Sequence, residues 1–202
     1  MRIACCQMNA TVGDLQANAA AVLAGVREAL ERRADIVCFP ELCLTGYPPE
    51  DLLLKPSFLA ASAQAAERLA AQIKGITAVI GAPDCRQGML FNAALVVADT
   101  RVQGVYHKRL LPNYGVFDEK RYFACGNTPG IFTAAGCRFG VTICEDIWHD
   151  RGPAEEQAKA GAQVIININA SPYHAGKRDE REEILRRRVD RCRVPVVYVN
   201  MV

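Results

Sequence analysis

Short apolar segments alternate with amphipathic segments along this chain, and together they predict alternating strands and helices. Arg2 to Met8 alternates weakly and predicts a first strand, whereas Ile36 to Phe39 predicts a second, buried strand that Pro40 ends. Between them, apolar residues recur at steps of three and four from Leu15 to about Arg33, and Asp14 is the predicted N-cap. Strand, helix and strand in this order indicate a βαβ unit with a parallel sheet.

The later segments predict further helices and strands. Ser57 is predicted to cap a second amphipathic helix, and Gly75 is predicted to end it. Further helices are predicted at Pro153 to Gly161 and Lys177 to Arg193. The remaining predicted strands are Ile76 to Ala82, Phe91 to Ala98, Arg101 to His107, Ile131 to Thr133, Cys137 to Ile143, Val164 to Ile168 and Val196 to Val199. The series predicts an α/β fold with mixed sheets.

Three chemically useful residues each follow an apolar segment. Glu41 follows the second predicted strand, Lys108 follows the strand that ends at His107, and Cys144 is the predicted last residue of the strand that begins at Cys137. Because binding and catalytic residues of α/β sheets are usually found at the ends of strands, the three side chains could meet at one edge of the sheet. A carboxylate to take the thiol proton, a thiolate nucleophile and an ammonium to balance an oxyanion suffice to open an amide or a nitrile.

Each of these residues also has a structural interpretation that the pattern leaves open. A free cysteine is most often a small buried apolar group. A glutamate after a proline, or the basic pair Lys108-Arg109 at a strand end, is usually exposed to solvent. The segment from Arg109 to Asn127 is a long loop, and loops of this length in compact domains are usually functional or disordered. Its aromatic and large apolar residues argue against disorder.

Composition and charge exclude several classes of protein. The 202 residues suit one domain, with 50% hydrophobic and 23% charged residues and a formal net charge of +2. This balance gives no reason to expect nucleic acid or a membrane surface as a partner. No apolar run approaches the roughly 20 residues of a bilayer span, and the N-terminal residues become polar too soon for a signal peptide. These features predict a cytoplasmic protein.

The cysteines argue against a metal site and against a disulfide scaffold. Nine cysteines are scattered along the chain, and no two of them form a Cys-x-x-Cys pair. Zinc ligands normally come in such spaced pairs, so no metal site is predicted. A disulfide-rich secreted protein would be shorter, and most of these thiols are therefore predicted to be core residues in a reducing compartment.

Three ordered motifs carry a family resemblance. The segments FPELCLTGYPPEDLL, HKRLLPNYGVFDEKRYF and GVTICEDIWHD resemble the nitrilase superfamily of carbon-nitrogen hydrolases, with its Glu-Lys-Cys triad. More narrowly, LPNYGVFDEKRYF, ICEDIW and INASPYHAGKR resemble the glutaminase domain of glutamine-dependent NAD+ synthetases, and the resemblance runs from Arg2 to the last residue. It implies a nitrilase-like αββα sandwich that hydrolyses the side-chain amide of L-glutamine.

The resemblance also implies a role for individual residues. It makes Glu41 the general base, Lys108 the oxyanion stabiliser and Cys144 the nucleophile. The residues that it assigns to the α-amino and α-carboxylate ends of glutamine are Tyr114, Ser171 and Lys177.

Three further residues are expected around the same site. Glu119, in the aromatic loop, either orders Lys108 or receives the substrate ammonium. Tyr47 and Trp148 are expected to form pocket walls.

The resemblance implies that residues 1–202 are an incomplete glutamine amidohydrolase domain. In the family this domain continues beyond VYVNMV, and the synthetases add an ATP-binding domain whose Ser-Gly-Gly-x-Asp-Ser loop does not occur here. No cofactor is expected in this domain, whereas ATP, Mg2+ and deamido-NAD+ are expected for the synthetase domain, and a homo-oligomer for the whole enzyme. Two alternatives stay open: a stand-alone hydrolase of another small amide, and a catalytically silent interaction domain.

Overall fold

The computed structural model describes all residues from Met1 to Val202 as two β-sheets between two pairs of helices. The helices are α1 (Leu15–Glu31), α2 (Pro56–Ala70), α3 (Pro153–Lys159) and α4 (Lys177–Cys192). The strands are β1 (Ile3–Cys5), β2 (Ile36–Cys38), β3 (Thr77–Arg86), β4 (Met89–Ala98), β5 (Arg101–His107), β6 (Ile131–Ala134), β7 (Cys137–Ile143), β8 (Val164–Asn169) and β9 (Val196–Asn200). Short 3₁₀ turns cover Glu50–Leu54, Glu119–Arg121 and Cys144–Ile147. None of the helices combines the length and apolar character of a bilayer span.

Both sheets are mixed, as the order of the elements predicts. The first sheet has the order β1-β2-β3-β4-β5, in which β1, β2 and β3 are parallel and β3, β4 and β5 are antiparallel. The second sheet has the order β6-β7-β8-β9, with only β6 antiparallel to its neighbour. The parallel pairs are connected through helices because such a crossover cannot be made by a tight turn.

The strands β3 and β4 extend further than the apolar pattern predicts. β3 continues to Arg86 and β4 begins at Met89, and the residues at these two ends are partly or fully exposed. The two residues between them, Gln87 and Gly88, both have positive φ angles, of 52° and 78°. A two-residue turn of this kind matches the twist of antiparallel strands, so pairing continues to its edge.

The core has three layers because strand side chains alternate between the two faces of a sheet. Val37 and Ile80 pack with α1 and α2 on the outer face of the first sheet. Ile36 and Val79, one residue away, point to the opposite face and pack with the second sheet through residues such as Val141. A smaller cluster joins α3 and α4 to the second sheet. This arrangement is the expected αββα sandwich.

Two predicted helix boundaries are wrong. Ser57 does not cap α2, because the helix begins one residue earlier at Pro56, whose fixed φ suits the first helical position. Gly75 does not end α2 either. The helix ends at Ala70, and Gly75, with φ +78°, lies in the connection to β3. The predicted cap of α1 is confirmed, since Asp14 Oδ1 accepts a hydrogen bond of 2.9 Å from the backbone N–H of Ala17.

Candidate active site

Cys144 lies in a turn and is not the last residue of a strand. β7 ends at Ile143, and Cys144 begins the following 3₁₀ turn with a φ of +42°. Such an angle is unfavourable for most residues other than glycine, asparagine and aspartate, and for a cysteine it persists where the surrounding structure imposes it. The pattern missed this because the apolar segment continues without a break into the cysteine. The side chain is buried.

The surroundings of Cys144 keep it protonated. Burial raises the pKa of its thiol well above the ordinary value, and the negative charge of Glu41 raises it further. The positive charge of Lys108 lowers it, but the net shift is upward. A thiol in this environment needs a base to become a nucleophile.

Glu41 is a fully buried carboxylate that accepts three hydrogen bonds. It lies after β2 and Pro40, with no solvent exposure. Its Oε1 accepts from Lys108 Nζ and from Asn92 Nδ2, both at 2.7 Å, and its Oε2 accepts from the backbone N–H of Ala170 at 3.0 Å. A buried charge requires such partners, and the three donors come from distant parts of the chain.

Lys108 donates to two carboxylates at once. It follows β5, and its Nζ lies 2.7 Å from Oε1 of Glu41 and 2.7 Å from Oε1 of Glu119. Burial by itself would lower the pKa of Lys108, but the negative charges of Glu41 and Glu119 raise it above the ordinary value. Lys108 is therefore an ammonium group that solvent does not reach.

Glu119 shares the ammonium of Lys108 with Glu41. It opens the 3₁₀ turn in the aromatic loop and also accepts a 3.1 Å hydrogen bond from the Tyr47 hydroxyl. Burial raises the pKa of Glu119 to about 7, and the charge of Lys108 acts against that rise. Two carboxylates face one ammonium, so protonation of Glu119 removes the excess negative charge. Of its two predicted roles, the geometry favours ordering Lys108.

Glu41, Lys108, Cys144 and Glu119 therefore form one buried cluster. The first three were predicted to meet because each follows an apolar segment. Two hydrogen bonds join the lysine to the two glutamates, and the charges of all three groups act on the thiol of Cys144. The catalytic roles of the cluster remain predictions.

The predicted glutamine-binding residues divide into two groups. Tyr114 donates a 2.8 Å hydrogen bond to Glu145, which follows Cys144. Lys177 lies 4.1 Å from the centre of the Trp148 ring and pairs with Glu180 at 2.9 Å. Tyr114, Trp148 and Lys177 thus gather around the turn that Cys144 begins.

Ser171 lies elsewhere, beside β9. It is buried, and its backbone N–H donates to Asn200 Oδ1 at 3.0 Å. Its carbonyl oxygen accepts from Arg181 Nη2 at 2.8 Å.

Two cavities share the wall formed by Tyr47 and Phe117, and Glu41, Lys108 and Cys144 line neither of them. One, of about 250 Å³, includes Glu119 in its lining, and the other, of about 440 Å³, includes Ser171 and Asn200. Tyr47 therefore lies where a pocket wall was predicted, and its hydroxyl also contacts Glu119. Trp148 was also predicted to form a pocket wall, but it lines neither cavity, and its ring instead faces Lys177.

Two buried residues of the site escaped the sequence analysis. Asn92 interrupts the apolar strand β4 and donates to Glu41, and a polar residue within an apolar strand was the available signal. Asp146 is fully buried, although its place in an acidic pair with Glu145 gave no hint of that. No group of three or more His, Cys, Asp or Glu side chains is arranged to hold a metal ion.

A family model and full-length relatives match this chain. The model described as carbon-nitrogen hydrolase matches residues 2–202. The chain is 42% identical to the glutamine-dependent NAD(+) synthetase of Xylella fastidiosa and 40% identical to that of Thermotoga maritima, each time over 100% of this chain. It spans only 37% and 35% of the length of these relatives.

Solved structures show the same fold. The glutamine-dependent NAD+ synthetase of Acinetobacter baumannii superimposes with a TM-score of 0.94 at 37% identity, over 99% of this chain and 38% of that one. An amidase from Nesterenkonia sp. superimposes with a TM-score of 0.85 at 23% identity, over 100% of this chain and 76% of that one. At this lower identity, the second likeness concerns the fold alone.

Proposed function

This chain belongs to the carbon-nitrogen hydrolase family, and we propose that it hydrolyses the side-chain amide of L-glutamine. The observation that carries the proposal is the buried cluster in which Lys108 joins Glu41 and Glu119 next to the thiol of Cys144. Burying an ammonium and two carboxylates costs desolvation free energy, so stability alone does not explain this cluster. We infer that it is retained for function. The synthetases that match the whole chain are named for their dependence on glutamine.

The proposed reaction uses the three triad residues in turn. Glu41 takes the thiol proton, and the sulfur of Cys144 attacks the amide carbon of glutamine. Lys108 stabilises the oxygen that becomes negative in the tetrahedral intermediate. Ammonia leaves with the proton held by Glu41, and a thioester remains. Glu41 then takes a proton from water, whose oxygen attacks the thioester. The carbon–sulfur bond breaks, Glu41 returns the proton to the sulfur of Cys144, and glutamate is released.

The ends of the substrate need complementary groups near Cys144. We propose that Tyr114 and Lys177, which gather at the turn after Cys144, hold the α-amino and α-carboxylate groups together with Ser171. Glu180 now pairs with Lys177, so a substrate carboxylate would have to replace that partner. A charged hydrogen bond to the carboxylate would favour the exchange.

The fate of the ammonia is a proposal for the full-length protein. The relatives that match this chain are named NAD(+) synthetases and are more than twice as long. We propose that residues 1–202 form the glutaminase part of such an enzyme. The ammonia would then pass to an ATP- and Mg2+-dependent synthetase domain that converts deamido-NAD+ to NAD+, in a homo-oligomer.

Glutaminase activity of the full-length protein tests the proposed nucleophile. Cys144→Ala should lower the rate of glutamine hydrolysis by about 10³-fold or more, because no other group forms the thioester. Cys125→Ala is the matched control, since this cysteine is exposed and outside the cluster. Unchanged turnover in Cys144→Ala would exclude the mechanism.

Labelling with a glutamine-like electrophile separates the alternatives. A live glutaminase should gain one adduct, at Cys144, and glutamine should protect it. Hydrolysis of other small amides without protection by glutamine would favour the stand-alone hydrolase. A folded protein that forms no adduct would favour the silent interaction domain.

A further inference from the structure

Asp146 is a fully buried carboxylate that the proposed reaction does not use. Both of its oxygens are occupied. Its Oδ1 accepts from the backbone N–H groups of Arg109 at 3.1 Å and Leu110 at 2.9 Å. Its Oδ2 accepts from the Tyr106 hydroxyl at 2.8 Å and from the backbone N–H of Ile143 at 3.0 Å.

These donors come from the two chain segments that carry the lysine and the cysteine of the cluster. Tyr106, Arg109 and Leu110 flank Lys108 on both sides, whereas Ile143 immediately precedes Cys144. One carboxylate therefore ties the end of β5, in the first sheet, to the end of β7, in the second sheet. These hydrogen bonds connect the backbone next to Lys108 with the backbone next to Cys144.

Only a carboxylate can satisfy this set of donors. It offers acceptor sites on both oxygens, whereas an amide has one oxygen and an NH2 group that cannot accept. Burial raises the pKa of Asp146 to about 6, and the hydrogen bonds from Ile143, Tyr106 and Leu110 oppose that rise. The group is thus mainly charged at neutral pH, and charged acceptors form the stronger hydrogen bonds.

We propose that Asp146 is a positioning residue that fixes the ammonium of Lys108 relative to the thiol of Cys144. This proposal rests on the proposed function in one respect: the reaction that the geometry serves is the hydrolysis of glutamine. Lys108 lowers the pKa of the Cys144 thiol, and this effect depends on the distance between the two groups. A displacement of about 1 Å in a site of this kind can cost on the order of 100-fold in rate.

The test compares Asp146→Asn with wild type in the full-length protein. We expect kcat for glutamine hydrolysis to fall about 10- to 100-fold while KM changes less than about twofold, because the side chain of Asp146 makes no hydrogen bond to the proposed glutamine-binding residues. The rate of iodoacetamide alkylation at Cys144, followed by peptide mass spectrometry across a pH series, should give a higher apparent thiol pKa than in wild type. Asp99→Asn is the matched control, because Asp99 is exposed and its φ of +49° suits asparagine.

A second variant keeps the proposal testable if Asp146→Asn does not fold. Tyr106→Phe removes one donor and leaves the three backbone donors in place, so it should shift the alkylation profile in the same direction by a smaller amount. The proposal is overturned if a folded Asp146→Asn, or Tyr106→Phe in its absence, keeps the wild-type alkylation profile. An unchanged alkylation profile overturns the proposal even if the melting temperature of the variant falls, because Asp146 would then have a purely structural role.

The same experiment distinguishes failure of this proposal from failure of the proposed function. If wild type does not hydrolyse glutamine, the proposed function fails. The alkylation profiles of wild type, Asp146→Asn and Tyr106→Phe then still decide whether Asp146 controls the environment of Cys144.

Discussion

At the scale of single residues, the balance of charge around Lys108 dominates the chemistry. The ammonium faces Glu41 and Glu119. Glu41 accepts from three donors at 2.7 to 3.0 Å. Glu119 accepts from two donors at 2.7 and 3.1 Å, and its third donor, Asn92, lies 3.5 Å away. Glu119 is the carboxylate whose pKa burial raises. We therefore expect Glu119 to take up a proton near neutral pH.

The titration of Glu119 predicts how stability changes with pH. Its pKa is about 7 in the folded protein against an ordinary value of 4.5, so the fold favours the protonated form. The resulting stabilisation is complete below pH 4.5 and is lost as the pH rises through 7. Between about pH 5 and 8, wild type should lose roughly 3 kcal/mol of unfolding free energy from this group.

Denaturant unfolding of Glu119→Gln at several pH values checks this expectation. Glutamine keeps an oxygen for Lys108 but does not titrate, so the variant should show a flatter pH dependence than wild type. Glu50→Gln is a suitable control, because Glu50 is exposed. Parallel pH profiles for wild type and Glu119→Gln would contradict the assignment.

At the scale of secondary-structure elements, the site depends on two tight backbone turns next to strand ends. Cys144 has a φ of +42°, and Leu42, directly after Glu41, has a φ of +47°. The turn at Leu42 packs against β3 at Gly81, where an added Cβ would lie 2.3 Å from Pro40 O and 2.4 Å from Leu42 N. Backbone contacts of this kind leave no side chain that could move aside.

Gly81→Ala should therefore displace the Glu41 turn or prevent folding. We expect a loss of more than about 3 kcal/mol in unfolding free energy, because the clash is with backbone atoms. Any folded fraction should have lower glutaminase activity. Gly88→Ala, in the β3–β4 turn with φ +78° and open space around it, should lose only about 1–2 kcal/mol. Equal melting temperatures for the two variants would contradict this account.

At the scale of the whole molecule, the candidate site is assembled from both sheets. Glu41 and Lys108 follow strands of the first sheet, whereas Cys144 and Ala170 follow strands of the second. The packing between the sheets, with Phe139 and Val141 in its centre, thus determines whether the cluster forms. Stability and activity should depend on the same interface.

Phe139→Ala tests this dependence. Phe139 is fully buried between the sheets, and removing its ring should lower the unfolding free energy by about 3–5 kcal/mol. Val102→Ala, on the partly exposed strand β5, should change it by less than about 1 kcal/mol. Chemical denaturation of the two variants provides the measurement. A loss below about 1 kcal/mol for Phe139→Ala would contradict the proposed interface.

The sequence by itself determined the order of the elements and the candidate triad. Alternating and helical apolar periods depend on neighbouring residues, so they predicted most strands and helices within a few positions. The motifs placed Glu41, Lys108 and Cys144 after apolar segments, which is where the structure has them. Local signals were less reliable at boundaries, as Ser57, Gly75 and the turn at Cys144 show.

Only the tertiary structure decided how those residues are held. Glu41 accepts hydrogen bonds from Asn92, 51 residues away, and from Ala170, 129 residues away. Asp146 lies two residues after Cys144 in sequence but accepts hydrogen bonds from the backbone after Lys108, 36 and 37 residues away. Contacts over such separations arise when the two sheets pack, and no pattern of adjacent residues encodes them. For the same physical reason, the ion pair of Lys108 with Glu119 and the raised pKa of Glu119 could be found only from the folded structure.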